Sequence, residues 1–227
     1  MDPTLQDLIE RIGSEHVERR LKVEVEHEAQ LFGQGLIIFN LENWYAAPWI
    51  VRTALKLTGF YGRARRNADH IVVKKHSVAF ANLPPAFDNF TILHISDLHA
   101  DISVGAMRHL HDPHFYRADD IEKAASKIPS DAFSILLAHT PEVYDRAMSA
   151  RFDLMLCGHT HGGQLCLPGG IPIKLEAALP RFMGAGPWRH GAMVGYTSVG
   201  AGTSLLPVRL NCPPEITLHT LRDGQQL

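Results

Sequence analysis

The chain has 227 residues, of which 45% are hydrophobic and 20% charged, and its formal net charge is −2. That length fits one domain with an extension, or at most two small domains, and the composition is that of an ordinary globular protein rather than a disordered or fibrous one. Without a basic excess, nucleic acid is not expected as a partner.

Three cysteines, Cys157, Cys166 and Cys212, show no C-x-x-C spacing. They do not read as a disulfide framework, and they fit a reducing compartment. The start, Met1-Asp2-Pro3-Thr4, is acidic and lacks a signal-peptide pattern, and no run of 18 apolar residues occurs. A cytoplasmic location with at most peripheral membrane contact is expected. Histidine is the compositional outlier: there are 14, and apart from His16 and His27 they fall from residue 70 onward.

In chain order, Leu5, Leu8, Ile9 and Ile12 recur at helical spacing and predict a helix over 4–31. Residues 1–68 read as a helical extension and 69–227 as the main domain. Within the extension, Trp44, Tyr45 and Trp49 precede Arg63, Arg65 and Arg66. Aromatic and aliphatic residues beside a basic cluster suit contact with an anionic membrane surface through residues 44–66. A helix packed on the main domain with its arginines in water fits the same residues.

Residues 69–80 read as a hairpin around Lys74-Lys75-His76, followed by a break at Pro84-Pro85. Phe90–Ser96 reads as a strand that runs into Asp97-Leu98-His99. A helix is predicted over 117–128 and a strand over Phe133–Ala138 ending at His139, then a helix through Tyr144 and Met148. The apolar run Phe152–Cys157 ends in Gly158-His159-Thr160-His161-Gly162-Gly163. There Gly158, Gly162 and Gly163 permit positive φ, and residues at i and i+2 of an extended segment share a face, so His159 and His161 can address one point. Gln164–Leu167 reads as a short strand. A Gly/Pro-rich loop over 168–191 carries Arg181 and Trp188, which could shape a substrate mouth. Strands at Met193–Gly200 and Glu215–Leu221 close the chain.

Three apolar strands thus end in Asp97/His99, His139 and His159/His161. Polar groups at the carboxyl ends of buried strands are where open α/β sheets place their sites. Two histidines and a carboxylate suit a divalent ion with open positions. Five such residues suffice for two ions about 3.5–4 Å apart, which can clamp a phosphate and activate a water.

Ser96-Asp97-Leu98-His99, Leu137-Ala138-His139-Thr140-Pro141-Glu142 and Gly158-His159-Thr160-His161-Gly162-Gly163-Gln164 resemble the calcineurin-like metallophosphoesterases, in particular their bacterial phosphodiesterase and UDP-diacylglucosamine pyrophosphatase-like branch. Gly200–Ser204, Pro207-Val208-Arg209 and Pro214-Glu215-Ile216 carry the likeness further, so that it covers roughly residues 70–222. The resemblance implies an α/β fold, the four-layer αββα sandwich, and divalent ions such as Mn, Fe or Zn. It also implies a phosphomonoester or phosphodiester substrate that could be lipid-linked. On the same ground Asp97, His99 and His161 would hold a first ion, and His139 and His159 a second.

The likeness also implies a G-D-x-x-D segment, whose Asp bridges the metals, and a G-N-H-[DE] segment with an Asn ligand and an assisting His. Both belong between His99 and His139. The chain contains no Gly-Asp or Gly-Asn dipeptide at all, so the sandwich is expected to be truncated in its central part, with the junction near Val104–His111 and an unpaired strand edge beside it. Asp101, His109, His111, Asp112 and His114 are the nearby substitutes. A metal-dependent phosphoesterase and a non-catalytic metal-binding or interaction protein of the same ancestry both remain open. A single-ion site of Asp97, His99 and His161, the ligand set of non-haem iron oxygenases, ranks behind them because those enzymes use other folds.

Overall fold

A computed structural model describes residues 47–98, 120–175, 177–204 and 206–225. The helix expected over 4–31, the junction near 104–111, and His99 with its neighbours Asp101, His109, His111, Asp112 and His114 lie outside the described residues. The first elements are helices α1 (Ala47–Leu57) and α2 (Tyr61–Ala68). Pro48 sits in the first turn of α1, where its missing N–H costs nothing, and Gly59 at φ +76° turns the chain out of it. The pair buries Leu55 and Ala64 against Val208, with Val51, Tyr61, Leu165, Leu206 and Leu210 around them. The opposite side leaves Trp49 and Leu57 in water, at 68% and 84% exposure. No helix among the described residues is long and apolar enough to cross a membrane.

The first sheet has the order β1-β9-β2, built from β1 (Val72–Phe80), β2 (Thr91–His94) and β9 (Glu215–Asp223). β1 is one unbroken strand, paired in parallel with β9 from Val72↔Glu215 to Phe80↔Asp223. The hairpin expected around Lys74-Lys75-His76 does not form, because nothing in that stretch supplies the Gly, Pro, Asn or Asp that a reversal needs. Its polarity instead reflects an exposed strand end, with Lys74 paired to Glu215.

The second sheet runs β3 (Ile135–Leu137), β4 (Leu154–Cys157), β8 (Met193–Thr197), β7 (Gly186–His190). β3, β4 and β8 are parallel, so their carboxyl ends share one edge of the sheet. β4 is buried throughout, as its unbroken apolar run requires of a central parallel strand. Met155 and Cys157 pack against helices α3 (Ile121–Ala125) and α4 (Tyr144–Ser149). Leu154 and Leu156 face the first sheet through Val78, Phe80 and Leu221. The described residues therefore supply helices, sheet and sheet in succession, a mixed α/β architecture. The stretch 168–191 is more regular than a loop: it holds half of the small β5–β6 hairpin (Cys166–Leu167, Ile171–Pro172), a 3-10 turn over Arg181–Gly184, and β7. Its glycines mark the turns between these pieces.

β9 buries its polar row, Glu215, Thr217 and His219, and turns Ile216 and Leu218 to the half-buried outer face. His219 is fully buried. Its Nδ1 lies 3.0 Å from Nδ1 of His76, and its Nε2 lies 3.3 Å from Nδ1 of His94. The Tyr196 ring packs edge-on against it, centroids 4.7 Å apart. Burial, reinforced by the two neighbouring imidazoles, pushes the His219 pKa down to about 3, and burial lowers His76 and His94 in the same direction. The unfolded chain therefore binds more protons than the folded one between about pH 3 and pH 6.5. Stability is complete above that window and falls on acidification, by about 1.4 kcal/mol per pH unit for His219 alone. Urea unfolding at pH 7 and pH 5 is expected to differ by about 2 kcal/mol on this account, with a shallower dependence in His219→Leu. Equal midpoints at the two pH values would contradict a neutral, buried His219.

Candidate metal centre

Four chain segments meet at the carboxyl edge of the sheets. β2 delivers Ser96 and Asp97, β3 delivers His139, β4 delivers Gly158 to His161, and β8 delivers the turn Ser198–Gly202. Backbone bonds join them: Ala201 N–H to Ser96 O at 3.0 Å, Gly202 N–H to Asp97 O at 2.9 Å, and Gly158 N–H to His139 O at 2.9 Å. The Asp97 side chain is 1% exposed. Both of its oxygens accept from the His159 backbone N–H, at 3.1 and 3.0 Å. Three glycines make room for it. A Cβ on Gly158 would stand 2.2 Å from Asp97 Oδ2, one on Gly200 would stand 2.7 Å from Asp97 Cβ, and one on Gly202 would stand 2.5 Å from Asp97 O. Gly158 is thus needed for space, whereas Gly162 and Gly163 adopt positive φ, at +58° and +78°.

The structure brings His139 to both Asp97 and His159. Its Nδ1 lies 3.9 Å from Asp97 Oδ1, and its Nε2 lies 3.1 Å from His159 Nδ1. His161 meets Arg209. It is buried, and its Nδ1 lies 3.2 Å from Nη2 of Arg209. His159 and His161 both adopt positive φ, +70° and +49°, so the backbone between them turns and is not extended.

Arg209 is the residue that sequence reasoning left without a role. It has no exposed surface. Its guanidinium donates to the carbonyls of Val199 (2.6 Å), Gly200 (3.2 Å), Gly202 (2.6 Å), His161 (3.3 Å) and Cys212 (3.4 Å). Burial pushes its pKa down, opposed by the fields of Cys212, Asp97 and Glu215. Because a guanidinium only donates, His161 Nδ1 accepts here and a neutral ring carries its proton on Nε2. Gln164 was also missed: its side chain accepts from Ser204 N–H and donates to the carbonyls of Ser204 and Leu206, tying the histidine turn to the 204–206 loop. The only advance signals for both were their places in strings that follow strands. Trp188 does not line a mouth. It is buried over Gly195, with its indole N–H on Thr197 Oγ1 at 2.9 Å. Arg181 is exposed.

The donor chemistry fits an ion that prefers nitrogen and oxygen. Two imidazole nitrogens 3.1 Å apart have the spacing of adjacent ligands bound at about 2.0–2.1 Å. Ser96 Oγ, buried beside Asp97, has no hydrogen-bond partner among the described residues. Among those residues, however, no group of three or more His, Cys, Asp or Glu converges as a metal-binding set. His99 lies outside them, and His161 presents its lone pair to Arg209.

Comparison with known proteins gives partial matches to metallophosphoesterases and a phosphodiesterase. The chain is 36% identical over 103 residues to the uncharacterized metallophosphoesterase YkuE of Bacillus subtilis, covering 45% of this chain and 36% of that one. It is 42% identical over 91 residues to the phosphodiesterase YaeI of Escherichia coli, covering 38% and 32%. It is 39% identical over 102 residues to a transmembrane protein with metallophosphoesterase domain of Bos taurus, covering 43% and 22%. No family model and no solved structure matches. Over part of its length the chain is similar to proteins named metallophosphoesterases and phosphodiesterases. The matches span about a third or less of these curated relatives' length.

Two substitutions test the framework. Gly158→Ala drives a methyl into Asp97 and is expected to cost about 1–3 kcal/mol. Arg209→Lys cannot span the same carbonyls and is expected to cost at least about 2 kcal/mol. Urea unfolding measures both, and losses under about 0.5 kcal/mol, the range of ordinary surface changes, would contradict the packing described.

Proposed function

We propose that the protein is a metal-dependent phosphoesterase by chemistry as well as by ancestry, acting on a phosphomonoester or phosphodiester. The single observation that carries this reading is the contact of Asp97, His139 and His159 at the carboxyl edge of parallel strands. In this reading Asp97, His99 and His161 hold one divalent ion, and His139 and His159 a second. Bound ions would supply positive charge for the phosphate and an activated water for in-line attack. The chain's own part is to hold the ligands. The His159 N–H orients the Asp97 carboxylate, the three glycines keep it in place, and Arg209 positions the His161 turn. His161 takes up its role only by releasing Arg209 at Nδ1 or giving up the Nε2 proton. The fold follows the four-layer sandwich, without the central G-D-x-x-D and G-N-H-[DE] block.

The missing dipeptides favour a second reading, a non-catalytic member that binds at most one ion. Metal content per chain and hydrolysis of an aryl phosphodiester with Mn²⁺, beside His161→Ala, separate the two. The phosphoesterase reading expects about two ions per chain and activity that the variant loses. At most one ion, with no activity above the variant, would sink it.

Trp49, Leu57 and Phe60 are exposed near Arg52, Lys56, Arg63, Arg65 and Arg66, which supports peripheral contact with an anionic membrane and, with it, a lipid-linked substrate. Part of that charge is engaged, since Arg65 donates to Pro207 O and Arg63 to Asn211 Oδ1. Flotation with anionic liposomes is expected to carry the chain upward at low salt. No flotation at low salt would rule the contact out.

A further inference from the structure

Behind the histidine turn lies a pair of thiols that the phosphoesterase reading does not use. Cys166 and Cys212 are both free and buried, and with Val199 they form their own packed cluster. They sit on neighbouring backbones. Leu165 and Leu210 are bridged in parallel, Cys166 N–H donates to Leu210 O at 2.9 Å, and Asn211 Nδ2 donates to Cys166 O at 2.9 Å. Continued from Leu165↔Leu210, that register sets Cys166 beside Asn211, the residue before Cys212. Both sulfurs address one carbonyl, Gly162 O, at 3.2 and 3.7 Å. Cys212 Sγ also reaches His161 O at 3.4 Å, and Arg209 Nη1 lies 3.8 Å from that sulfur. A Cβ on Gly162 would meet Cys212 Sγ at 2.9 Å, so the turn has no slack against the pair. Cys157 differs. It lies in β4, its thiol near Thr197 Oγ1 at 3.3 Å, and burial pushes its pKa up to about 12.

We infer that Cys166 and Cys212 form a redox modification site, oxidised by peroxide to an intramolecular disulfide that loosens the His161–Gly163 turn. The chemistry closes with two steps. One thiol reduces hydrogen peroxide, becoming a sulfenic acid and releasing water. The second thiol then attacks that sulfur, forming the S–S bond and releasing a second water. Two thiols and one peroxide thus give one disulfide and two waters. Cys212, the less covered of the two, meets the oxidant first. Oxidation removes the two S–H donors that serve the carbonyls of Gly162 and His161, leaving Arg209 to hold the turn. The functional consequence rests on the assignment of His161 to the metal centre, whereas the disulfide and the loosening do not.

The test uses the full reduced chain treated with hydrogen peroxide, alkylated under denaturing conditions and mapped without reductant. The expected product is a peptide pair linked through Cys166 and Cys212, lighter by two hydrogens, with Cys157 alkylated. Cys157→Ala keeps the link, Cys166→Ala abolishes it, and dithiothreitol reverses it. Hydrogen exchange of the peptide covering His161–Leu165 is expected to quicken in the oxidised form. Absence of the 166–212 link, or a link with unchanged exchange in that peptide, would overturn the inference. Mn²⁺ titration separates the two ideas. About tenfold weaker binding after oxidation is expected, whereas no binding even to the reduced chain counts against the metal centre and leaves the mapping and exchange results standing.

Discussion

A single buried guanidinium holds the candidate site together. Arg209 gathers carbonyls from the turn after β8 and from the turn after β4 onto one charge. Gly200 O also takes the Glu215 N–H and His161 O the Gln164 N–H, whereas the carbonyls of Val199 and Gly202 face Arg209 at 2.6 Å and each would cost about 1–3 kcal/mol if left unpaired. An arginine suits this position because its donors are fixed in a plane and stay charged when buried. The turn it secures after β8 is the one that carries Gly200 and Gly202 against Asp97, so the carboxylate depends on Arg209 at one remove. Helix α2 depends on it too, since Ala64 O takes the Arg209 backbone N–H.

The same region concentrates backbone strain. Asp97, His159, His161 and Gln164 all adopt positive φ, at +49°, +70°, +49° and +56°. For residues with a Cβ this costs of order 1–2 kcal/mol each. The strained residues occupy the ends of β2 and β4, where the chain must leave the sheet sharply to turn side chains toward one edge. The buried contacts of Arg209 and Gln164 and the Asp97 bonds to His159 N–H offset that cost. The scaffold alone thus fixes the backbone at the ends of β2 and β4.

Much of the fold was legible. The runs Leu154–Cys157 and Met193–Thr197 announced two central strands, because strands buried on both faces are apolar throughout, and the apolar Ile135–Leu137 announced their half-buried neighbour β3. β1 was misread because charge near a strand end resembles a turn when pairing is invisible, and only the distant β9 supplies its partner. β9 misleads in the opposite way. Its apolar Ile216 and Leu218 face outward, while Glu215, Thr217 and His219 face in. Local hydropathy cannot report a polar row satisfied by His76 and His94 on the flanking strands and by Tyr196 from the other sheet.

At the site, the residues with visible chemistry were found and their supports were not. Asp97, His139 and His159 stood out as polar groups closing apolar runs. Gly158 was visible as a glycine, but its reason is the Asp97 carboxylate, which lies 61 positions earlier in the chain. Arg209 and Gln164 act through backbone carbonyls, and a carbonyl network has no signature in side-chain spacing.

The most direct measurement of the central claim is X-ray absorption at the metal edge of the full chain loaded with Zn²⁺. The account predicts a nitrogen and oxygen shell at about 2.0–2.1 Å with the outer scattering of imidazole. A sulfur shell at about 2.3 Å, which would place the ion on Cys166 and Cys212, or a spectrum indistinguishable from the aqueous ion, would contradict it.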